Sequence, residues 1–327
     1  MANLETNYLG LNLKNPLIIG SSGLTGSIEN IKKISKYNPG AIVLKSLFEE
    51  QIMVEAYNIL EKNEIDYPDI EDYIIQYTKN DQVNSYLKLI KEAKNNVSFP
   101  VIASINCFTN SEWIGFASKI EEAGADALEL NISLMPSNPK LSSQENEEIY
   151  LKIAETVKNQ IKIPVALKIS YYSAGLANLI TKLSYSKYID SLVLFNRYYS
   201  PDIDITSLKY ISSNAFSNPA DISDSLRWIA LMSGKIKMDL ASSTGVHDSK
   251  GLIKQLLVGA KAVQVVSTIY KNGPEQITKI IDGLNEWMDK NNYDSIEKFR
   301  GKLNYSKEAS SSVFERSQFM KHYNSII

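Results

Sequence analysis

Two lysines and three asparagines occupy the same kind of place in this chain, directly after a short apolar run. Lys45 follows residues 41–44, Asn106 follows 101–105, Asn131 follows 127–130, Lys168 follows 165–167 and Asn196 follows 191–195. Three other apolar runs, 17–20, 237–241 and 262–266, end instead in small residues: Ser22 with Gly23, Thr244 with Gly245, and Ser267 with Thr268. An ammonium group is a fixed point charge, and an amide presents a donor and an acceptor side by side, which suits a planar ligand. Backbone N–H groups bared by glycine and serine turns, with a helix start behind them, can cradle a phosphate. Each residue has a plainer reading: asparagine caps loops, lysine is solvated, Gly245 makes a turn, and Ser267 and Thr268 cap a helix. Recurrence at matching places favours a shared site.

Such a site needs elements that bring distant strand ends together. The apolar runs are short and continuous, as in parallel strands buried on both faces. Helical segments separate them, with start and stop signals: Ser27, Asp248, capping boxes Thr109/Glu112 and Ser142/Glu145, and closing glycines Gly124 and Gly259. Eight alternations favour a closed (β/α)8 TIM barrel, with an open doubly wound sheet as the alternative. In a barrel the polar strand ends converge on the C-terminal mouth, where the loops after strands seven and eight hold phosphate. Residues 4–13, split by Gly10, read as a hairpin plugging the lower end. The long connection 47–100 reads as a helix over 48–60, an acidic loop over 66–72 containing Pro68, and a helix over 83–93. A tyrosine- and serine-rich insertion over 197–224 suits a lid over the mouth. A helix over 275–288 precedes a polar extension, 291–327, with two short helices; the whole chain, 1–327, reads as one domain.

Composition narrows the function. The chain has 327 residues, 44% of them hydrophobic, enough for a large core, and a formal net charge of -2 gives no general attraction for nucleic acid or an acidic membrane. One cysteine, Cys107, excludes an intrachain disulfide and a four-cysteine cluster. No signal peptide or membrane-spanning run is visible, so a cytoplasmic location is expected. No GxGxxG follows a strand, which argues against a separate nicotinamide-binding unit.

The segments NPLIIGSSGL, GAIVLKSL, ALELNIS, VALKIS, the Asn196 strand end, STGVHDSKGLIKQLLVGAKAVQVVST and DSIEKFRGKL occur in order from Asn15 to Leu303. Together they resemble the dihydroorotate dehydrogenase family, flavoproteins of the soluble class 1 kind. The resemblance implies FMN across the barrel mouth, its phosphate on Gly245, Val246, Ser267 and Thr268. Ser22 and Gly23 would pass the isoalloxazine ring, and Lys168 would face its pyrimidine edge. Lys45 and Ser46 correspond to the family's AxxxKS motif, placing Lys45 near flavin and substrate. Asn131 and Asn196 would hydrogen-bond a planar amide-bearing substrate such as dihydroorotate. A reduced flavin gathers negative charge around N1 and O2, so a fixed ammonium there favours reduction. The resemblance implies a homodimer and no metal; with no nicotinamide-binding unit in the sequence, a soluble electron acceptor or redox partner is expected.

Departures concern the substrate half. Class 1 members use a cysteine as proton acceptor in Asn-x-Ser-Cys-Pro-Asn, whereas this chain reads Asn131-Ile132-Ser133-Leu134-Met135-Pro136. Leucine accepts no proton, which leaves Ser133 or Ser137 as substitutes needing activation. The family's Asn-Ser-x-Gly-x-x-Asn substrate loop is replaced by a region with Tyr67, Pro68, Asp69 and Tyr73. Arg197 stands where a small residue normally follows Asn196; it could grip a carboxylate or pair with Asp202 or Asp204. Cys107 reads as a packed residue, and His247 as a capping or surface one. The expected catalytic residues are therefore Lys45, Ser133 and Lys168, with Lys45, Asn131, Asn196 and Arg197 holding substrate. A Schiff-base aldolase using Lys168, and a non-catalytic flavin-binding paralogue, are the rival readings.

Overall fold

The computed structural model describes residues 2–62, 68–106, 114–132, 134–198, 200–212, 214–305 and 312–315. The chain opens with a hairpin, β1 (Thr6–Tyr8) and β2 (Leu11–Leu13), turned by Leu9 and Gly10 at positive φ of 56° and 70°. Positive φ costs a leucine energy. Here Leu9 is only 2% exposed, so burial of its side chain offsets that cost.

The elements then follow in order: β3 (Leu17–Ile19), α1 (Ile28–Ser35), β4 (Ala41–Val43), β5 (Leu47–Phe48), α2 (Glu49–Lys62), α3 (Pro68–Asn96), β6 (Val101–Asn106) and α4 (Ile114–Glu122). Next come β7 (Ala127–Asn131), α5 (Ser143–Lys158), β8 (Val165–Ile169), α6 (Leu176–Tyr185) and β9 (Ser191–Leu194). A second hairpin, β10 (Pro201–Asp204) and β11 (Lys209–Ser212), precedes α7 (Ile222–Met232), β12 (Asp239–Ser243), α8 (Ser249–Val258), β13 (Ala262–Val265), α9 (Ser267–Asn272), α10 (Gln276–Lys290) and the short α11 (Ser312–Glu315).

Parallel pairing runs β3, β4, β6, β7, β8, β9, β12, β13 and back to β3, so the sheet closes on itself as the expected (β/α)8 barrel, with β5 pairing beside β6. Closure sorts side chains by alternation. One set, Ile18, Val43, Ile102, Ala127, Ala166, Val193, Ala241 and Ala262, faces inward and meets Tyr8, Leu9 and Leu13 of the first hairpin. This is the barrel floor, plugged as the sequence suggested. The other set, including Leu17, Ile42, Leu128, Leu167, Leu192 and Val263, packs against the helices.

Local signals account for the helix ends. Ser27, Ser142 and Asp248 each accept a backbone N–H of the first turn, Ser142 in a capping box with Glu145, and Gly259 closes α8 at φ 113°. The expected acidic loop over 66–72 is corrected: α3 already begins at Pro68. Proline fits a first helical position, where no N–H is needed. The extension beyond α10 is also less separate than its polarity suggested. Ile296 and Phe299 are fully buried, and Leu303 and Tyr305 donate backbone bonds to Leu257 and Ala230. The Thr109/Glu112 capping box and Cys107 lie outside the described residues. No described helix is long and apolar enough to cross a membrane.

Candidate active site

Two residues above five of the floor positions, toward the strand C-termini, the barrel interior turns polar. Ala127 is followed inward by Glu129 and Asn131, Ala166 by Lys168, Ile102 by Ser104, Ala241 by Ser243 and Ala262 by Gln264. Strand register sets Ser104 beside Glu129, Asn131 beside Lys168 and Ser243 beside Gln264. Across the interior, Lys168 Nζ donates to Gln264 Oε1 at 2.9 Å, and Gln264 Nε2 donates to Glu129 Oε2 at 2.5 Å. Lys168 also lies 3.9 Å from Glu129 Oε1. Glu129 is 1% exposed and Gln264 2%, while Lys168, at 8%, reaches the opening. Burial and the Glu129 charge both push the Tyr8 phenol, on the plug below, well above its usual range.

Lys168 and Gln264 form one wall of a cleft shared with Ser21, Asn131, Asn196, Ser243, Thr244, Gly245, Val246 and Ser267. Among the described residues, Asn131 Oδ1 is buried there without a hydrogen-bond partner, and Asn106 Oδ1, on the neighbouring strand end, is also buried without one. Native structures leave few such groups unpaired, and an orphan at a cleft wall is a place for a ligand donor. Asn196 is steadied by its own backbone N–H on Ile169 O and by its Nδ2 on Lys168 O. Thr244 and Gly245 both take positive φ, 77° and 80°, as the chain leaves β12. A Cβ on Gly245 would lie 2.1 Å from Ile222 N, so only glycine fits against the start of α7. Among the described residues no acceptor takes the N–H of Gly245 or Val246.

The insertion after Asn196 folds back over this cradle. Ser217 N donates to Ser267 Oγ, its hydroxyl lies 3.0 Å from His247 Nε2, and its carbonyl accepts from Lys271 Nζ. Thr268 turns its hydroxyl inward to His247 O, so only its backbone N–H is left for a ligand. Arg197 also lines the cleft; its Nη1 and Nη2 donate to Ala215 O and Asn214 O, and its Nε lies 3.7 Å from Asp221. Pairing with Asp202 or Asp204 is therefore corrected: Asp202 takes the N–H of Ile203, and Asp204 caps its own hairpin turn through Thr206 and Ser207.

His247, expected at a cap or on the surface, instead holds the inner end of the insertion. Burial, and then the Lys271 charge, lower its affinity for a proton below the ordinary value. The unfolded chain takes up that proton below about pH 6.5 while the folded chain resists it, so this group's contribution to stability is lost as pH falls from there. Urea unfolding between pH 7 and 5 should show a shallower pH dependence in His247→Gln than in the wild type. An equal slope would mean the imidazole does not report on this contact.

Residues 3–288 match the family described as dihydroorotate dehydrogenase. The chain belongs to that family. It is 25% identical over 92% of its length to the catalytic subunit of dihydroorotate dehydrogenase B (NAD(+)) of Thermoplasma volcanium, covering 98% of that protein. The corresponding catalytic subunit of Methanothermobacter thermautotrophicus is also 25% identical, with 91% of this chain and 97% of the relative covered.

Within the dihydroorotate dehydrogenase pattern, the structure brings together Asn131, Lys168, Asn196, Gly245, Val246 and Ser267. It does not bring Lys45 to the same cleft. Lys45 is exposed and lies against Gly26, whose Cβ would sit 3.2 Å from its Cδ, in a separate groove lined by Gln51, Gln82 and Ser85. Ser46 stays buried at the mouth, bonded to the hydroxyls of Ser21 and Ser104. Ser22 bonds back to Gly20 O, and Gly23 faces the Tyr270 hydroxyl, so Ser21 rather than either of them lines the cleft. Ser133 lies outside the described residues, and Ser137 is exposed. Leu134, at the family's cysteine position, lines a different cavity with Tyr150 and Tyr172. Its carbonyl accepts from Tyr198 OH and Ser170 Oγ. Burial pushes the Tyr198 phenol up to about 12, so it serves as a donor here and not as a base.

Glu129 and Gln264 were not singled out from the sequence. Their signal was present: a carboxylate and an amide inside the apolar runs ALELN and AVQV.

Proposed function

We propose that this protein is an FMN-dependent oxidoreductase that moves a hydride from dihydroorotate, or a related planar amide or carboxylate, to the flavin. A soluble acceptor or a partner redox protein then removes the electrons. The observation that carries this reading is a buried ammonium, Lys168, at the mouth of the barrel beside the unpaired Asn131 carbonyl and the unclaimed amides of Gly245 and Val246. These residues fit FMN: its phosphate asks for bare N–H groups, and its pyrimidine edge asks for a cation and an amide. The relatives' description as catalytic subunits supports a separate redox partner.

Bound FMN would supply the hydride-accepting centre; the chain's own residues bind, orient and shield it. Lys168 places fixed positive charge where the flavin gathers electrons, in an interior closed below by the aliphatic floor, so the interaction is little screened. Gly245, Val246, Ser267 and Thr268 hold the phosphate with backbone N–H groups, and the Ser267 hydroxyl proton remains available for it. Asn131 and Asn196 orient the substrate. Arg197 lines the same cleft and keeps donors for a substrate carboxylate, while Nη1 and Nη2 tie down residues 214–215. Ser133 is the hydroxyl this reading assigns to the proton. A Schiff-base aldolase fits less well: the Lys168 nitrogen donates to Gln264 and faces Glu129, an arrangement suited to a fixed cation.

Anaerobic mixing of the purified yellow protein with dihydroorotate should bleach the flavin spectrum. Protein that stays colourless after refolding with excess FMN, and releases no nucleotide on boiling, would sink the reading; a yellow protein whose spectrum stays unchanged would remove dihydroorotate alone.

A further inference from the structure

The chain of contacts from Glu129 through Gln264 to Lys168 carries a consequence that rests on FMN being the ligand of this cleft. Lysine offers only donors, so Gln264 can meet Lys168 Nζ only through Oε1, which fixes its NH2 group toward Glu129. Glu129 then accepts with Oε2, while Oε1 faces Lys168 at 3.9 Å and has no hydrogen-bond partner among the described residues. A carboxylate and an ammonium are thus held together by a side chain that can bridge them in one orientation only. Among the described residues, an aliphatic floor and the buried Tyr8 phenol lie beneath them, and Glu129 is 1% exposed, so solvent screens the pair little.

We propose that Glu129 is a tuning residue, whose negative charge, kept in register with Lys168 by Gln264, offsets part of the ammonium field at the flavin and holds its reduction potential down. Lys168 alone would draw electrons onto the ligand; the pair sets how strongly. A purely structural stitch between β7, β8 and β13 would change stability when cut, but it would not shift the potential in opposite directions when each charge is removed in turn.

The test uses the full chain loaded with FMN, reduced anaerobically alongside a reference dye. Glu129→Gln is expected to raise the potential enough to change the oxidised-to-reduced ratio at a fixed potential at least tenfold, ~30 mV for a two-electron couple. Lys168→Gln should shift it the opposite way, and the double variant should return close to the wild type. Gln264→Glu, which adds a second negative charge beside Lys168, should lower it and serves where Glu129→Gln does not fold. Shifts of the same sign in the two charge variants, or an unmoved potential in Glu129→Gln and Gln264→Glu, would overturn the inference while leaving FMN in place. A wild-type chain that takes up no FMN would overturn it together with the functional reading.

Discussion

Lys168→Met should unfold at markedly lower urea than the wild type even without FMN, by roughly 3–5 kcal/mol, because it leaves Glu129 buried and uncompensated. Both partners are nearly out of water, at 8% and 1% exposure, so the uncompensated charge is costly. Methionine keeps most of the lysine stem, so lost packing adds little. The hydrogen bond to Gln264 Oε1 disappears too, leaving a second buried acceptor open. Changing Glu129 to Gln in the same chain should recover a large part of the loss, since a neutral amide needs no countercharge. Equal stability of Lys168→Met and the wild type would show that the carboxylate draws its compensation from elsewhere. FMN-dependent reduction should also fall in Lys168→Met. The urea measurement on FMN-free protein separates the two effects.

This pair shows where sequence reading reached and where it stopped. Lys168 was visible because it ends an apolar run, and polar residues at such ends recur along the chain. Glu129 and Gln264 lie one step deeper, inside runs that read as plain strand interiors. Only alternation counted back from Asn131, together with the register of β7 against β8 and of β12 against β13, turns them inward. Such register depends on barrel closure, a long-range property no single segment carries. The helix ends, by contrast, rest on contacts three residues apart, such as Ser142 with Glu145, and were legible directly. Pro68 misled because proline breaks a helix interior but suits its first turn. Lys45 also ends an apolar run, but β4 ends at Val43 and the chain turns toward β5, and the exposed lysine lines the groove beside Gly26. Arg197 has the right chemistry for a carboxylate, and the insertion adds two carbonyls that hold it at the cleft.

Asn131→Leu provides the complementary result, in which stability and function part company. The Asn131 carbonyl oxygen is buried with no partner among the described residues, so in the ligand-free chain it carries a desolvation cost that no hydrogen bond repays. Leucine has nearly the same shape and removes that cost, so the FMN-free variant should unfold at equal or higher urea, by up to about 1 kcal/mol. Substrate-dependent flavin reduction should fall roughly 100-fold, about 2.7 kcal/mol of transition-state binding, as the amide that orients the substrate is lost. Lys168→Met, by comparison, should lose both stability and reduction. A destabilised Asn131→Leu would mean the amide is a structural part of the strand end, and unchanged reduction kinetics would move the substrate away from Asn131. Stabilisation together with loss of turnover is the outcome expected of a polar group kept unpaired for a ligand.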